Sequence, residues 1–146
     1  MIVADTNLVA YGAIEGDRTE AAARVRRRDA DWVAPPLWAS EFLNVLVTQV
    51  RAGKLTVAQA RAVWPAARAL VREVESDPLA ALDLAAVRGL SGYDAEFVAL
   101  AERLGVRVVT DDRRVLAACP DLAVSLDAFA DEGNGGEGAP PDAPDW

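Results

Sequence analysis

Four acidic residues stand where the surrounding pattern favours neutral or apolar side chains: Asp5, Glu41, Asp94 and Asp112. Asp5 closes the apolar run Met1-Ile2-Val3-Ala4, and Glu41 interrupts the stretch Leu37-Trp38-Ala39-Ser40-Glu41-Phe42-Leu43. Asp94 opens the helical stretch Tyr93-Asp94-Ala95-Glu96-Phe97-Val98, and Asp112 follows the strand-like segment Val106–Thr110. Crowded carboxylates repel one another, and burial raises their pKa further. If the four share a pocket, a divalent cation is implied, and with it hydrolysis at a phosphate.

Each acid also has a plainer role. Asp5-Thr6-Asn7 can form an Asx-turn leaving a strand. Ser91-Gly92-Tyr93-Asp94 fits a capping box, which makes Asp94 a helix cap. Either Asp111 or Asp112 can cap the turn Arg113–Ala117. Glu41 resists such a reading, because its segment is apolar on nearly every side and a lone buried carboxylate is costly. Asn44, three residues on, is expected to hydrogen-bond Glu41 and orient it.

The elements that would bring these residues together follow from periodicity. Ile2–Ala4, Trp32–Ala34, Val106–Thr110 and Ala123–Leu126 read as strands. Thr19–Arg28, Leu37–Arg51, Thr56–Glu73, Leu79–Val87 and Tyr93–Leu104 read as helices. In the last of these Phe97, Leu100, Ala101 and Leu104 share one face, and Gly105 is placed to end it. Alternation of strands and helices predicts an α/β fold with a parallel sheet covered on both faces. Strand C-termini and helix N-termini then share one edge, and acids separated by 36, 53 and 18 positions converge there. The long helical stretch between the second and third strands is expected to form its own subdomain or wall.

Bulk composition narrows the chemistry. The 146 residues fit one domain, expected over 1–130, followed by an acidic Gly/Pro-rich tail over 131–146 that is expected to be disordered. With no histidine in the chain, Ser-His-Asp and Cys-His catalysis and histidine-ligated zinc are excluded. The single cysteine, Cys119, allows no internal disulfide and suits the cytoplasm. No apolar run spans a bilayer, and the N-terminus lacks a secretory signal pattern. The net charge of −8 owes much to the tail, whose five acids leave 15 basic against 18 acidic residues in the body. That balance does not exclude RNA, though it offers no broad electrostatic footprint.

Other acid-bearing α/β sites fit less well. A receiver-like phosphoacceptor domain needs a lysine near a late strand, and the one lysine here is Lys54. A haloacid-dehalogenase-like phosphatase needs Asp-x-Asp at the first strand, where this chain has Asp5-Thr6-Asn7.

Four pieces taken in order carry a family resemblance. They are Asp5-Thr6-Asn7, Glu41 with Asn44 in a proline-preceded helix, Ser91-Gly92-Tyr93-Asp94 running to Glu102, and Thr110-Asp111-Asp112. Over residues 1 to about 130 the chain resembles a PIN-domain ribonuclease of the VapC toxin type. The resemblance implies a three-layer α/β/α fold with a central parallel sheet of four or five strands. It implies a metal-dependent endoribonuclease with an RNA substrate, a cognate antitoxin protein as partner, and a homodimer.

Carried over residue by residue, Asp5, Glu41, Asp94 and Asp112 are the catalytic, metal-holding acids, and the T-x-D spacing favours Asp112 over Asp111. Thr6 and Thr110 become the small hydroxylic neighbours that shape the site. Mg²⁺ or Mn²⁺ suits an all-oxygen set. Asp5 and Asp94 are the expected direct ligands, and Glu41 and Asp112 would position water or a second ion. Arg113, Arg114, Arg51 and Lys54 are the candidate RNA contacts. The run Arg24, Arg26, Arg27, Arg28 is expected to be a solvated face. A non-catalytic RNA- or protein-binding module on the same scaffold is the competing reading.

Overall fold

The computed structural model describes residues 1–133. Most of the expected tail, 134–146, lies outside the described residues. Short runs supply the strands β1 (Ile2–Ala4), β2 (Trp32–Ala34), β3 (Val71–Glu73), β4 (Val108–Val109) and β5 (Ala123–Val124), apolar in each case but β3, which is the more polar Val-Arg-Glu. They form one sheet in the order β3-β2-β1-β4-β5 with every pairing parallel. Val3, at its centre, registers with Val33 on one side and Val108 on the other, and all three are fully buried. Such strands show no polar alternation because both faces are covered.

The covering helices are α1 (Thr6–Ala13), α2 (Thr19–Arg28), α3 (Leu37–Arg51), α4 (Val57–Leu70), α5 (Pro78–Arg88), α6 (Gly92–Leu104), α7 (Arg113–Ala118) and α8 (Leu126–Glu132). The chain steps outward from β1 to β2 to β3, then crosses back through α5 and α6 to β4. Right-handed crossovers therefore place α1–α4 on one face and α5–α7 on the other. Contacts agree: α1 packs against α2, α3 and α4, α8 lies on α2, and α6 lies on β1 and β4. The result is the expected three-layer α/β/α arrangement, with five strands. Among the described residues no helix is long and apolar enough to cross a membrane.

Several boundaries differ from the sequence reading. The helix expected over Thr56–Glu73 stops at Leu70, and Val71–Glu73 becomes the edge strand β3. A buried Val71 between a helix end and exposed Arg72 and Glu73 fits a half-covered edge, and pairing with β2 satisfies its backbone. The long insertion is thus no separate subdomain, since β3 returns it to the sheet. Asp5-Thr6-Asn7 does more than turn, because Asp5 caps helix α1. The last strand ends at Val124, where Ser125 caps α8. Gly105 ends α6 as expected, with φ 68° that favours a residue without Cβ.

Helix α8 runs through the expected domain boundary at residue 130. Asp131 pairs with Arg24, and Glu132 pairs with Arg28 and Arg107. Arg27 pairs with Glu20 within α2. Most of the basic run on α2 is therefore a neutralised face.

Candidate active site

Helix α3 shows how sequence pattern becomes a site. Trp38, Phe42 and Leu46 recur every four residues and are buried. Trp38 and Phe42 pack with Trp64 of α4, at ring-centroid distances of 6.2 and 5.9 Å from it. Trp38 Nε1 donates to Glu73 Oε1 (3.1 Å), which ties α3 to the edge strand. With that stripe fixed, the neighbouring stripe Leu37, Glu41 and Val45 faces a cleft at the C-terminal edge of the sheet. Glu41 is held there half-buried, not turned out to solvent.

All four predicted acids line this cleft of about 630 Å³, together with Thr6, Asn7, Ser40, Asn44 and Tyr93. Asp5 follows β1 and caps α1, with Oδ1 accepting from the Thr6 backbone N–H at 2.8 Å. Its Oδ2 accepts from Thr110 Oγ1 at 2.6 Å and Asn7 Nδ2 at 3.4 Å. Thr6 Oγ1 donates to Glu41 Oε1 at 3.0 Å, so a single helix start serves two acids. Asp94 lies in the first turn of α6, where its backbone N–H donates to the capping Ser91 Oγ at 3.1 Å. Asp112 caps α7, accepting from the N–H groups of Arg114 (2.8 Å) and Val115 (3.3 Å). The plainer capping role is therefore real for Asp5 and Asp112, whereas at α6 the cap is Ser91 and Asp94 contributes only its backbone N–H; all three acids also face the cleft.

Electrostatics mark three of these acids. Burial pushes the Asp5 carboxyl above the usual range; bonds from Thr110 and the Thr6 backbone oppose the shift, and Asp94 and Asp112 add to it. Glu41 is raised by burial, against the Thr6 bond, with Asp5, Asp94 and Glu96 adding to the rise. Asp94 is raised by burial and then by Asp112, opposed by the Ser91 bond and Arg114. Among the described residues none of the four is in an ion pair, whereas Asp111, beside Asp112, pairs with Arg18 at 2.8 Å. A cluster of unpaired, mutually repelling oxygens is a donor set that fits a hard divalent cation. Among the described residues no three acidic side chains already stand close enough to hold an ion as they are. Direct ligation by one or two carboxylates, with water completing the sphere, suits that spacing.

The other predicted residues divide. Thr6 and Thr110 are buried and bonded to the acids. Asn44 lines the cleft but makes no bond to Glu41, a correction to the expected support. The Thr6 hydroxyl takes that position, while Asn44 sits exposed a turn along the rim. Arg113 and Arg114 are exposed on the first turn of α7, and Arg114 is near enough to lower the Asp94 pKa. Arg51 instead borders a separate apolar groove between α3 and α4, lined by Leu43, Leu46, Val47, Val50 and Trp64. Lys54 lines a pocket adjoining the cleft.

Sequence reasoning missed two participants. Asn7 bridges Asp5 and Thr110, donating to Thr110 Oγ1 at 3.1 Å. Arg18 draws Asp111 away from the cleft. Asn7 was discernible from its place two residues after Asp5, but nothing local in the sequence marks Arg18.

The comparisons agree with this fold. A crystal structure of PAE2754 from Pyrobaculum aerophilum superposes with a TM-score of 0.73 at 23% identity, over 90% of this chain and 93% of that one, which shows the shared fold. The chain is 31% identical over 129 residues to Ribonuclease VapC3 of Pyrobaculum aerophilum, covering 83% of this chain and 96% of that protein. The PIN domain family model matches residues 2–120, a span that takes in β1, every acid of the cleft and α7, and this chain belongs to the PIN domain family.

Proposed function

We propose that the protein is a metal-dependent endoribonuclease, the toxin of a toxin–antitoxin pair, that hydrolyses RNA phosphodiester bonds at the four-carboxylate cleft. The observation that carries this reading is the set of four acids facing one cleft, unpaired with any cation among the described residues, with Asp5, Glu41 and Asp112 held by hydroxyl, amide and backbone donors. Similarity to a protein named as a ribonuclease supports the same class. The wider reading includes a cognate antitoxin, a homodimer and a cytoplasmic location.

Asp5 and Asp94 would hold Mg²⁺ or Mn²⁺, with Glu41 and Asp112 beside them. When bound, such an ion lowers the pKa of water and offsets charge on phosphoryl oxygens. The chain itself supplies orientation. Three donors fix Asp5, leaving its carboxylate little freedom to rotate. Thr6 fixes one oxygen of Glu41, whose raised pKa makes the other better able to accept a proton from attacking water. With no histidine in the chain, deprotonation of the water would fall to the ion together with a carboxylate. Arg114, exposed beside Asp94, is placed to meet a phosphate as it enters.

The test is cleavage of single-stranded RNA by purified protein in Mn²⁺, with and without chelator, beside Asp5→Asn. The reading expects cleavage that chelator abolishes and that Asp5→Asn lowers at least about 100-fold. Cleavage by Asp5→Asn near the parental rate would reject the site assignment.

A further inference from the structure

Beside the acidic cleft lies a second pocket of about 440 Å³, whose walls include Tyr11, Ile14, Arg18, Gln49 and Lys54. Val45 of α3 lines both hollows, so the two are neighbours. Tyr11 stands one helical turn beyond Asn7 on α1, and i,i+4 spacing puts both on one face. Its nearness to the cleft also shows in its acidity, which burial, Asp111 and Asp5 all oppose and Arg18 favours.

Arg18 already lies over one face of the Tyr11 ring, so a flat ligand would have to use the other. The Arg18 guanidinium lies 6.0 Å from the Tyr11 ring centroid and is held by Asp111 (2.8 Å) and Asp127 (3.3 Å). The Tyr11 ring is half-exposed, and among the described residues its hydroxyl makes no hydrogen bond. Gly53 turns the chain at φ 72° just past α3, and the Lys54 N–H then bonds back to Gln49 O at 2.9 Å. The Lys54 side chain is exposed and makes no ion pair among the described residues. Glu15 and Asp17 also border the pocket, so net charge does not make it attractive to polyanions. Its affinity for a nucleotide would come from a π-face and one cation, a combination that favours an unpaired base with its phosphate.

We infer that this pocket seats the nucleotide next to the scissile phosphate of single-stranded RNA, its base stacked on Tyr11 and its phosphate at Lys54. The inference rests on the nuclease reading above and adds a base-contacting residue to it. Stacking of this kind tolerates any base, so Tyr11 supplies position and affinity more than sequence choice.

The experiment measures binding of a fluorescent 12-nucleotide single-stranded RNA to the Asp94→Asn protein, which removes cleavage from the measurement. Onto that background Tyr11→Leu, Tyr11→Trp and Lys54→Gln are introduced, each checked by thermal unfolding. Tyr11→Leu is expected to weaken binding about 10-fold without changing its salt dependence, while Tyr11→Trp stays within about threefold. Lys54→Gln, an exposed change, is expected to weaken binding a few-fold and lower the salt slope by about 0.7. If Asp94→Asn binds RNA and Tyr11→Leu binds equally well, the subsite is wrong and the nuclease reading stands. Equal losses in Tyr11→Leu and Tyr11→Trp would also overturn it, because a merely structural ring would respond that way. If the parent chain neither binds nor cuts RNA, the nuclease reading fails and takes the subsite with it.

Discussion

The Thr110 hydroxyl donates to Asp5 Oδ2 at 2.6 Å while accepting the Asp112 backbone N–H at 2.9 Å. One buried side chain just past the end of β4 thus sets the direction of one acid and the entry of the loop that presents another.

Replacing that hydroxyl tests the coupling. Thr110→Val keeps the shape but removes a donor that lowers the Asp5 pKa. Asp5 should become still harder to ionise, so the acid limb of the kcat/KM profile moves to higher pH. Activity at neutral pH should fall about 10–100-fold, as for other residues that orient metal ligands. Thr110→Ser should restore both. A pH–rate series on the three proteins decides it, and an unmoved limb in Thr110→Val would show that Asp5 is oriented by other means.

Crowded acids serve function at the expense of stability. Asp94 is raised by burial and by Asp112, and among the described residues no cation is paired with it. In metal-free protein, Asp94→Asn removes that repulsion and should raise Tm by roughly 3 °C, the response expected for about 1 kcal/mol. Millimolar Mn²⁺ should raise the Tm of the parent and leave Asp94→Asn nearly unmoved. Calorimetric scans with chelator and with Mn²⁺ distinguish the two, and equal metal responses would remove Asp94 from the ligands.

The pH dependence of folding has a definite sign. Asp5, Glu41 and Asp94 are raised above unfolded values of 3.8, 4.5 and 3.8, so the folded chain binds more protons in that window. Their contribution to stability grows as pH falls from neutral through the raised values, and is fully present below the unfolded ones. Glu132 acts oppositely: bonded to Arg107, it is lowered to about 2, and its contribution is lost as pH falls from 4.5 towards that value. Urea unfolding of chelated protein should therefore show greater stability at pH 5.5 than at pH 7.5. In Glu41→Gln that difference should shrink, and an unchanged difference would exclude Glu41 from the cause.

How far the sequence foretold this arrangement depends on the scale of the signal. Glu41 was readable because a carboxylate in an apolar stripe needs a reason, and parallel topology required Asp5 and Asp112 to share an edge. The strand Val71–Glu73 was not readable, since no breaker separates it from α4 and three residues carry little periodicity. Helix α1 was hidden because an Asx-turn and a helix cap begin alike, and Asp5 makes both plausible until α3 packs on α1. Asn44 misled for a related reason: spacing puts a residue on a face, but the Thr6 hydroxyl arrives from another element. Long-range partners of that kind leave no local trace.

The adjacent acids Asp111 and Asp112 offer the sharpest contrast. Asp112 caps α7 and faces the cleft, whereas Asp111 accepts from Arg18 and from the Leu126 N–H at the start of α8. Asp112→Asn keeps an oxygen for the cap but removes a charge from the site, so kcat should fall at least about 100-fold with little change in Tm. Asp111→Asn breaks a partly exposed ion pair that ties α2 to the β4–α7 loop. It should cost about 1 kcal/mol of stability and no more than about tenfold in kcat. Single-turnover cleavage and thermal unfolding of both variants give the answer. If Asp111→Asn proves the more damaging to kcat, the site acid at this edge has been assigned to the wrong neighbour.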